Sequence, residues 1–370
     1  MPFERAPASH ASPLLSIVVA AYNVDGYIEE ALESLLVQPY IDAIRVIVVD
    51  DGSTDDTYAA AQTVAERDGG FHIEVIRQKN RGVSAARNAG IAAARTPYIG
   101  FLDGDDIYLS GFTSKVMPLL AQDRWDIVEY NIKIINDHGR ELGQLELVSP
   151  LEKGDCVLDR AAQQRFANAF HTFVWARIFR VELFKNVQFP LDRHYEDMAI
   201  VPSIHLLAKS VYRVSEPLYG YRRRFGSITQ KSTLSDMQDL RVIGLEVLAR
   251  CDGSETDDFW LTIFDKTFQR ACHVCARVNR ASFTRASEIL RTIAADHQTA
   301  LSVLAQRFGR QATELKPFDL QVRVDRSVYQ LKGIVKKFLR RSLDHHQRER
   351  RVNLTSRQEK KGTARCSARD

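Results

Sequence analysis

The sequence predicts an α/β fold, with a mostly parallel central sheet flanked by helices and a helical C-terminal region behind it. Three observations carry that expectation. The first hundred residues alternate between short apolar runs and helix-period segments. The apolar runs are continuous, as in strands buried on both faces. Polar and acidic residues gather where those runs stop. An alternation of strand and helix implies crossover connections, and these are what parallel pairing requires.

Each element has its own warrant. LLSIVVAAY (14–22) reads as the first buried strand. GYIEEALESLLV (26–37) places Ile28, Ala31, Leu32, Leu35 and Leu36 on one helical face. IRVIVVD (44–50) is the second strand, after which Ser53 and Thr54 stand as N-caps for a helix through Arg67. FHIEVIR (71–77) is the third strand. The alanine-rich RGVSAARNAGIAAAR (81–95) is a helix stopped by Thr96-Pro97, and YIGFL (98–102) is the fourth strand. From about residue 232 the pattern is wholly helical, over 236–251, 259–278 and 282–308.

The 370 residues suffice for one large domain or a domain with an appendage. Hydrophobic residues at 45% and charged residues at 26% are ordinary for a soluble globular chain, so composition does not choose the fold. The net charge of +4 is uneven: residues 331–370 hold thirteen Lys+Arg against four Asp+Glu, a local +9 that leaves the remainder at −5. No apolar run has the length of a membrane span, and MPFERAPASHASP lacks the apolar centre of a signal peptide. The expected location is cytoplasmic. The five scattered cysteines are unlike a disulfide framework, and Cys272-His273-Val274-Cys275, with no second pair at zinc spacing, reads as helix packing.

Ligands of parallel sheets bind beyond the carboxyl ends of the strands. Here those ends carry Ala20 to Asn23, Asp50 to Ser53, and Asp103-Gly104-Asp105-Asp106. The DGDD stretch has two readings, an acidic turn in solvent or a site for a divalent cation that gathers like charges. Neither GxGxxG nor GxxxxGK[ST] is present, so a dinucleotide fingerprint and a phosphate-cradling loop are excluded. A bound diphosphate would have to be met by metal and basic side chains.

SIVVAAYN (16–23), SLLVQ (34–38), VIVVDDGSTDDT (46–57), NRGVSAARNAGIAAA (80–94) and YIGFLDGDDIYL (98–109) together resemble the family 2 glycosyltransferases, of the fold called GT-A and the bacterial polysaccharide-biosynthesis type. The likeness is close over 14–110 and looser to about residue 230. It implies inverting transfer of a sugar from a nucleotide sugar, often a UDP-sugar, to an acceptor hydroxyl. It implies that Ala20, Tyr22, Asn23 and Asp51 line the nucleotide site, with Tyr22 and Asp51 on the uracil side. Asp103 and Asp105 match the family's DxD motif, which contacts ribose and a diphosphate-bound Mg²⁺ or Mn²⁺; Asp106 is the acid that follows, counted with them toward the metal. Arg87 falls near the nucleotide, its other reading being a helix-surface ion pair.

The same resemblance places Asp197 as the catalytic base with Glu196 in support, at the start of a helical segment (193–208) whose apolar face is Met198, Val201, Ile204, Leu207 and Ala208. Acids at a helix N-terminus are also favoured by the macrodipole alone. Trp175 resembles a tryptophan that walls the acceptor site, or is core. Arg222 and Arg224, two apart in LYGYRRRFGSITQ (218–230), share a strand face. They are expected to meet the leaving diphosphate or to form a solvated basic strand, and Gly226 lets the segment bend over the nucleotide.

The expected organisation is a flexible N-terminus (1–13), a catalytic domain (14–230) with nucleotide-sugar (14–110) and acceptor (111–230) halves, a helical region (231–315), a basic amphipathic helix (316–344) and a disordered basic tail (345–370). In the basic helix Val328, Leu331, Val335, Phe338 and Leu339 share a face flanked by Lys332, Lys336, Lys337, Arg340 and Arg341. It suits an anionic membrane surface or packing on its own domain. The expected partners are a nucleotide-sugar donor and a glycan or lipid-linked acceptor, without nucleic acid. A sugar nucleotidyltransferase is a competing reading that lacks its Gly-rich loop after the first strand. A catalytically silent binding scaffold is another, although it has no need of a base.

Overall fold

The structure, a computed structural model, describes residues 12–70, 72–145, 154–224, 232–279 and 281–308. The bend at Gly226, the basic helix over 316–344 and the tail lie outside the described residues. The chain divides into two units, Met1–Val278 and Asn279–Asp370.

Four continuous apolar runs become the parallel core of the sheet. β1 (Leu15–Ala21) lies between β2 (Ile44–Asp50) and β4 (Tyr98–Asp103), with β3 (Ile73–Arg77) outside β2. The helices between them are α1 (Ile28–Leu36), α2 (Thr57–Arg67) and α3 (Val83–Ala93). The spatial order β3-β2-β1-β4 reverses direction between β1 and β4. With right-handed crossovers, that reversal sends α3 to the face opposite α1 and α2 and opens a crevice at the strand ends. On the α3 face, Ile47 and Val49 pack with Ala86, and Ala20 and Ala89 join them. The helix comes so close that a Cβ on Gly90 would stand 2.2 Å from Val18 Cγ1.

The remaining strands extend the sheet past β4 in the order β4-β9-β6-β10-β5, through β5 (Ile107–Tyr108), β6 (Ile127–Ile135), β9 (Arg177–Arg180) and β10 (Ser210–Arg222). β6 and β10 are parallel, while β9 is antiparallel to both its neighbours and β5 antiparallel to β10. Two short strands, β7 (Glu141–Leu145) and β8 (Gly154–Val157), pair with β6 and β10. Pro217 sits in β10 between two register shifts, where a missing N–H is tolerated. Helices α4 (Phe112–Leu120), α5 (Arg160–Ala169) and α6 (Glu196–Leu207) connect these strands. α7 (Leu234–Leu248) and α8 (Asp257–Arg277) pack on each other, α8 also against α5 and α7 against α6. The first unit therefore takes in both helices up to Val278. Of the second unit, α9 (Phe283–Phe308) is described. No described helix is long and apolar enough to cross a membrane.

Two local expectations are corrected. Ser53 and Thr54 do not cap α2, which starts at Thr57. Ser53 Oγ instead accepts from the Asn23 N–H (3.1 Å), and the Thr54 N–H donates to Asn23 Oδ1 (2.9 Å). α6 is buried on more than one stripe, through Ile200, Ser203 and His205 as well as Met198, Val201 and Ile204, because it is enclosed on several sides. Leu207, expected in that stripe, is 55% exposed.

Candidate active site

Strand register brings the predicted residues to one edge. Ala20 pairs with Asp103 across β1–β4, and Ala21 with Asp50 across β1–β2. The next backbone bonds hold the two loops to the end of β1: the Gly104 N–H donates to Ala20 O (3.0 Å) and the Asp51 N–H to Ala21 O (2.9 Å). A Cβ on Gly104 would meet Ala20 O at 3.1 Å, so a side chain there would press on the end of β1.

Asp51 is buried, and its carboxylate accepts from Gln78 Nε2 (2.7 Å) and from the backbone N–H groups of Arg81 (3.0 Å) and Gly82 (2.7 Å). It therefore fixes the loop that leads into α3. Asn23, in the left-handed region at φ 51°, ties the β1 loop to Ser53 and Thr54. Tyr22 is the ring left at the mouth, 46% exposed.

The acidic turn is clamped by the end of β10. The buried Asp106 accepts from Tyr219 Oη (2.7 Å) and from the Arg222 N–H (2.6 Å), while the Asp103 N–H donates to the same Tyr219 oxygen (3.2 Å). Arg222, 2% exposed, donates to the carbonyls of Asp105, Asn136 and Asp137 and to Glu30. Arg224 donates through Nε to Asp105 Oδ2 (2.6 Å). The two arginines do share a side, each 5.3 Å from the Tyr27 ring. Arg222 is not the solvated basic residue that was one expectation; buried on these partners, it braces the turn. Asp106 likewise joins the turn to β10.

Burial, then the Asp103 charge, hold the Asp105 carboxyl above its ordinary value against the pull of Arg224. Burial, then Asp105 and Asp103, push Asp106 well above it. Crowded carboxylates of this kind favour an added cation. Hard oxygen donors on a strand-end turn suit Mg²⁺ or Mn²⁺, so Asp103 and Asp105 fit such an ion.

Arg87 connects this turn to the start of α6. It is 4% exposed; Nη2 donates to Asp103 Oδ1 (2.7 Å) and Nη1 to Glu196 Oε1. Burial disfavours its charge, but Asp103 and Glu196 outweigh that and raise its pKa. It is thus a buried bridge, rather than a surface ion pair. Asp197 follows Glu196 in the first turn of α6, where Oδ1 accepts from the Met198 N–H (2.7 Å). Burial and then the neighbouring Glu196 charge raise the Asp197 carboxyl to about 7, against the opposing pull of Arg87, the Met198 N–H and the Thr172 side chain. A carboxylate poised near neutrality is suited to general-base work.

Trp175 is 7% exposed, stacked on Phe173 (4.9 Å), Tyr219 (4.7 Å) and Tyr221 (5.4 Å). It is mainly a core ring behind the site. His194, Asp236 and Asp239 offer ligand atoms within 4.8 Å of one another. Their hydrogen bonds, His194 Nδ1 with Asp236 (2.6 Å) and the His194 N–H to Asp239 (3.1 Å), tie the segment before α6 to α7. Sequence reasoning missed Tyr219 and Gln78. The two-residue period that pairs Arg222 with Arg224 also pairs Tyr219 with Tyr221, which was a usable signal. Gln78 carried none.

Residues 16–188 match the model of glycosyl transferase family 2. The glycosyltransferase GlyG of Streptococcus pneumoniae is 31% identical over 223 residues, covering 59% of this chain and 73% of that protein. The uncharacterized glycosyltransferase EpsJ of Bacillus subtilis is 37% identical over 225 residues, covering 59% of this chain and 63% of EpsJ. The succinoglycan biosynthesis protein ExoU of Rhizobium meliloti is 41% identical over 121 residues, 32% of this chain and 33% of ExoU. The chain spans less than two thirds of the first curated relatives it matches. Among solved structures, S. aureus TarS 1–349 in complex with UDP-GlcNAc aligns with a TM-score of 0.65 at 20% identity, over 86% of this chain and 92% of that one. The chain belongs to the family 2 glycosyltransferases.

Proposed function

We propose that the chain is an inverting, metal-dependent glycosyltransferase. It moves a sugar from a nucleotide sugar, here a UDP-sugar, to an acceptor hydroxyl in cell-surface polysaccharide or lipid-linked glycan assembly. The observation that carries the reading is the Arg87 bridge. One buried guanidinium joins the donor-side acid Asp103 to the base-side pair Glu196-Asp197, so both halves of a transfer reaction meet at one sheet edge. UDP agrees with the UDP-GlcNAc complex of TarS, and polysaccharide assembly with the naming of ExoU.

Tyr22 offers its exposed ring to the base. Asp103 and Asp105 would hold Mg²⁺ or Mn²⁺, which when bound supplies positive charge for the diphosphate. Arg224 stands beside Asp105 as a further cation for the leaving group. Asp197 removes the proton from the acceptor hydroxyl as that oxygen forms its bond to the anomeric carbon. The bond from that carbon to the diphosphate oxygen breaks on the opposite face, and UDP leaves with the electron pair. A single displacement inverts the anomeric centre without a covalent sugar–enzyme species. The basic stretch 331–370, at +9, supplies charge for an anionic membrane carrying a lipid-linked acceptor.

The test is turnover. Purified protein is incubated with UDP-, GDP- and dTDP-sugars, Mn²⁺ and glycan or lipid-linked acceptors, and nucleotide release is followed. UDP release that depends on acceptor and on Asp197 supports the reading. A folded protein that binds a nucleotide but turns over none of the panel contradicts it and leaves the silent scaffold.

A further inference from the structure

We infer that α7 and α8 take part in catalysis by clasping the three residues ahead of the Glu196-Asp197 pair, and that Tyr195, the last of the three, is a positioning residue for the base. The inference rests on Asp197 being the base. A shared donor carries it. The Met198 N–H donates both to Asp197 Oδ1 (2.7 Å) and to the carbonyl of Tyr195 (3.1 Å). The carboxylate and the Tyr195 backbone hold one N–H between them, so a shift of that carbonyl moves the anchor of the carboxylate.

Tyr195 does not stand there by its own preference. It is the N-cap of α6 in the left-handed region, with φ 60° and ψ 34°, and it makes no side-chain cap bond. Asp192, three residues earlier, also has a positive φ, of 58°. A bulky side chain takes this conformation where its surroundings impose it. Here the surroundings are the helical region. Arg193 donates through Nη1 to both carboxylate oxygens of Glu246 on α7, each at 2.8 Å. The His194 ring hydrogen-bonds Asp236 (2.6 Å) and the His194 N–H donates to Asp239 (3.1 Å), both on α7. The Arg270 guanidinium of α8 lies 5.2 Å from the centre of the Tyr195 ring. Three consecutive residues are thus held by two helices that pack on each other.

The clasp is itself anchored. The second oxygen of Asp236 accepts from the Thr233 N–H (2.6 Å) in the capping box that starts α7. From the nucleotide half, Arg87 of α3 donates to Glu196. The acidic pair is therefore gripped at Glu196 by the sheet half and at the three preceding residues by α7 and α8. The hydrogen bonds that place Asp51, Asp103 and Asp105 come from other residues. Loosening the clasp should accordingly slow transfer and spare donor binding. The side chains of Arg193 and Glu246 are 24% and 46% exposed. An ion pair open to water in this way contributes little to stability, so its loss is read in the rate rather than in the fold.

The experiment uses charge reversal in the full chain. Arg193→Glu, Glu246→Arg and the double variant are compared with wild type by UDP release, by calorimetric binding of UDP with Mn²⁺, and by melting temperature. Each single variant is expected to lower kcat by about tenfold, with donor KM and UDP affinity within about twofold. The melting temperature should stay within about 3 °C. The double variant should recover kcat to within about threefold of wild type. Arg270→Leu should lower kcat by about threefold or more, and Arg270→Lys, which keeps a cation over the ring, should recover most of it. The Arg270 pair carries the comparison should a charge-reversed chain fold poorly. Wild-type kcat in the folded single variants and in Arg270→Leu, with Asp197→Asn inactive, overturns the inference alone. So does a loss of kcat that falls together with UDP affinity and melting temperature, or one that neither the double variant nor Arg270→Lys restores. An active Asp197→Asn removes the base assignment and the inference with it.

Discussion

Replacing Asp197 by Asn tests the raised carboxyl and the base role in one variant. In the folded chain this carboxyl titrates at about 7, held up by burial and then by Glu196. In the unfolded chain an aspartate titrates near 4. Between those values the native state keeps a proton that the unfolded state has released. The contribution to stability is therefore full below about pH 4 and is lost as pH rises through about 7. The gap bounds the effect at about 4 kcal/mol. Partial solvent access reduces it, to about 1–3 kcal/mol between pH 5 and pH 8. Asn has no proton to lose, so the variant should gain on the wild type by about 2–5 °C in melting temperature across that range. Its kcat should fall by about 10²–10⁴-fold with donor binding retained. Calorimetric melting at pH 5, 6, 7 and 8, paired with UDP-release kinetics, reads both. A pH-independent difference in melting temperature would refute the raised carboxyl, and near-normal transfer would refute the base.

Arg87→Leu removes the charge that Asp103 and Glu196 share, and leaves two partly buried carboxylates facing each other. A loss of about 2–4 kcal/mol in urea unfolding is expected, with the acid limb of transfer moving up as Asp197 loses a stabilising cation. An unchanged midpoint would show that the bridge is not held in solution. Tyr219→Phe breaks the hydroxyl link between the Asp103 N–H and Asp106. It should cost about 1–3 kcal/mol by denaturation and raise the Mn²⁺ concentration for half-maximal UDP binding. Unaltered metal affinity would separate Tyr219 from the geometry of the turn.

The parallel half of the fold was legible because β1, β2 and β4 are continuous apolar runs, and a run buried on both faces has one reading. Their register then carried Ala20, Asp51 and Asp103 to one edge without further information. The mixed half was not legible. β9 is four residues long and antiparallel between two longer strands, and β10 continues through Pro217 with shifts in register. Both depend on partners far away in sequence. The same limit applies to side chains. Arg222 reads as a phosphate ligand until three carbonyls and Glu30 surround it. Ser53 reads as a helix cap until Asn23 arrives from β1. The DGDD pattern announced crowded charge correctly, but did not say that Asp106 faces Tyr219 and the β10 backbone.

The most direct measurement is calorimetric titration of UDP into the purified protein, with Mn²⁺ and then with EDTA, using GDP as a control and repeating with Asp105→Ala. UDP binding that requires Mn²⁺, exceeds that of GDP and is lost in the variant is the predicted result. Equal UDP affinity with and without metal, unchanged by Asp105→Ala, would contradict a metal–diphosphate site at the carboxyl end of β4.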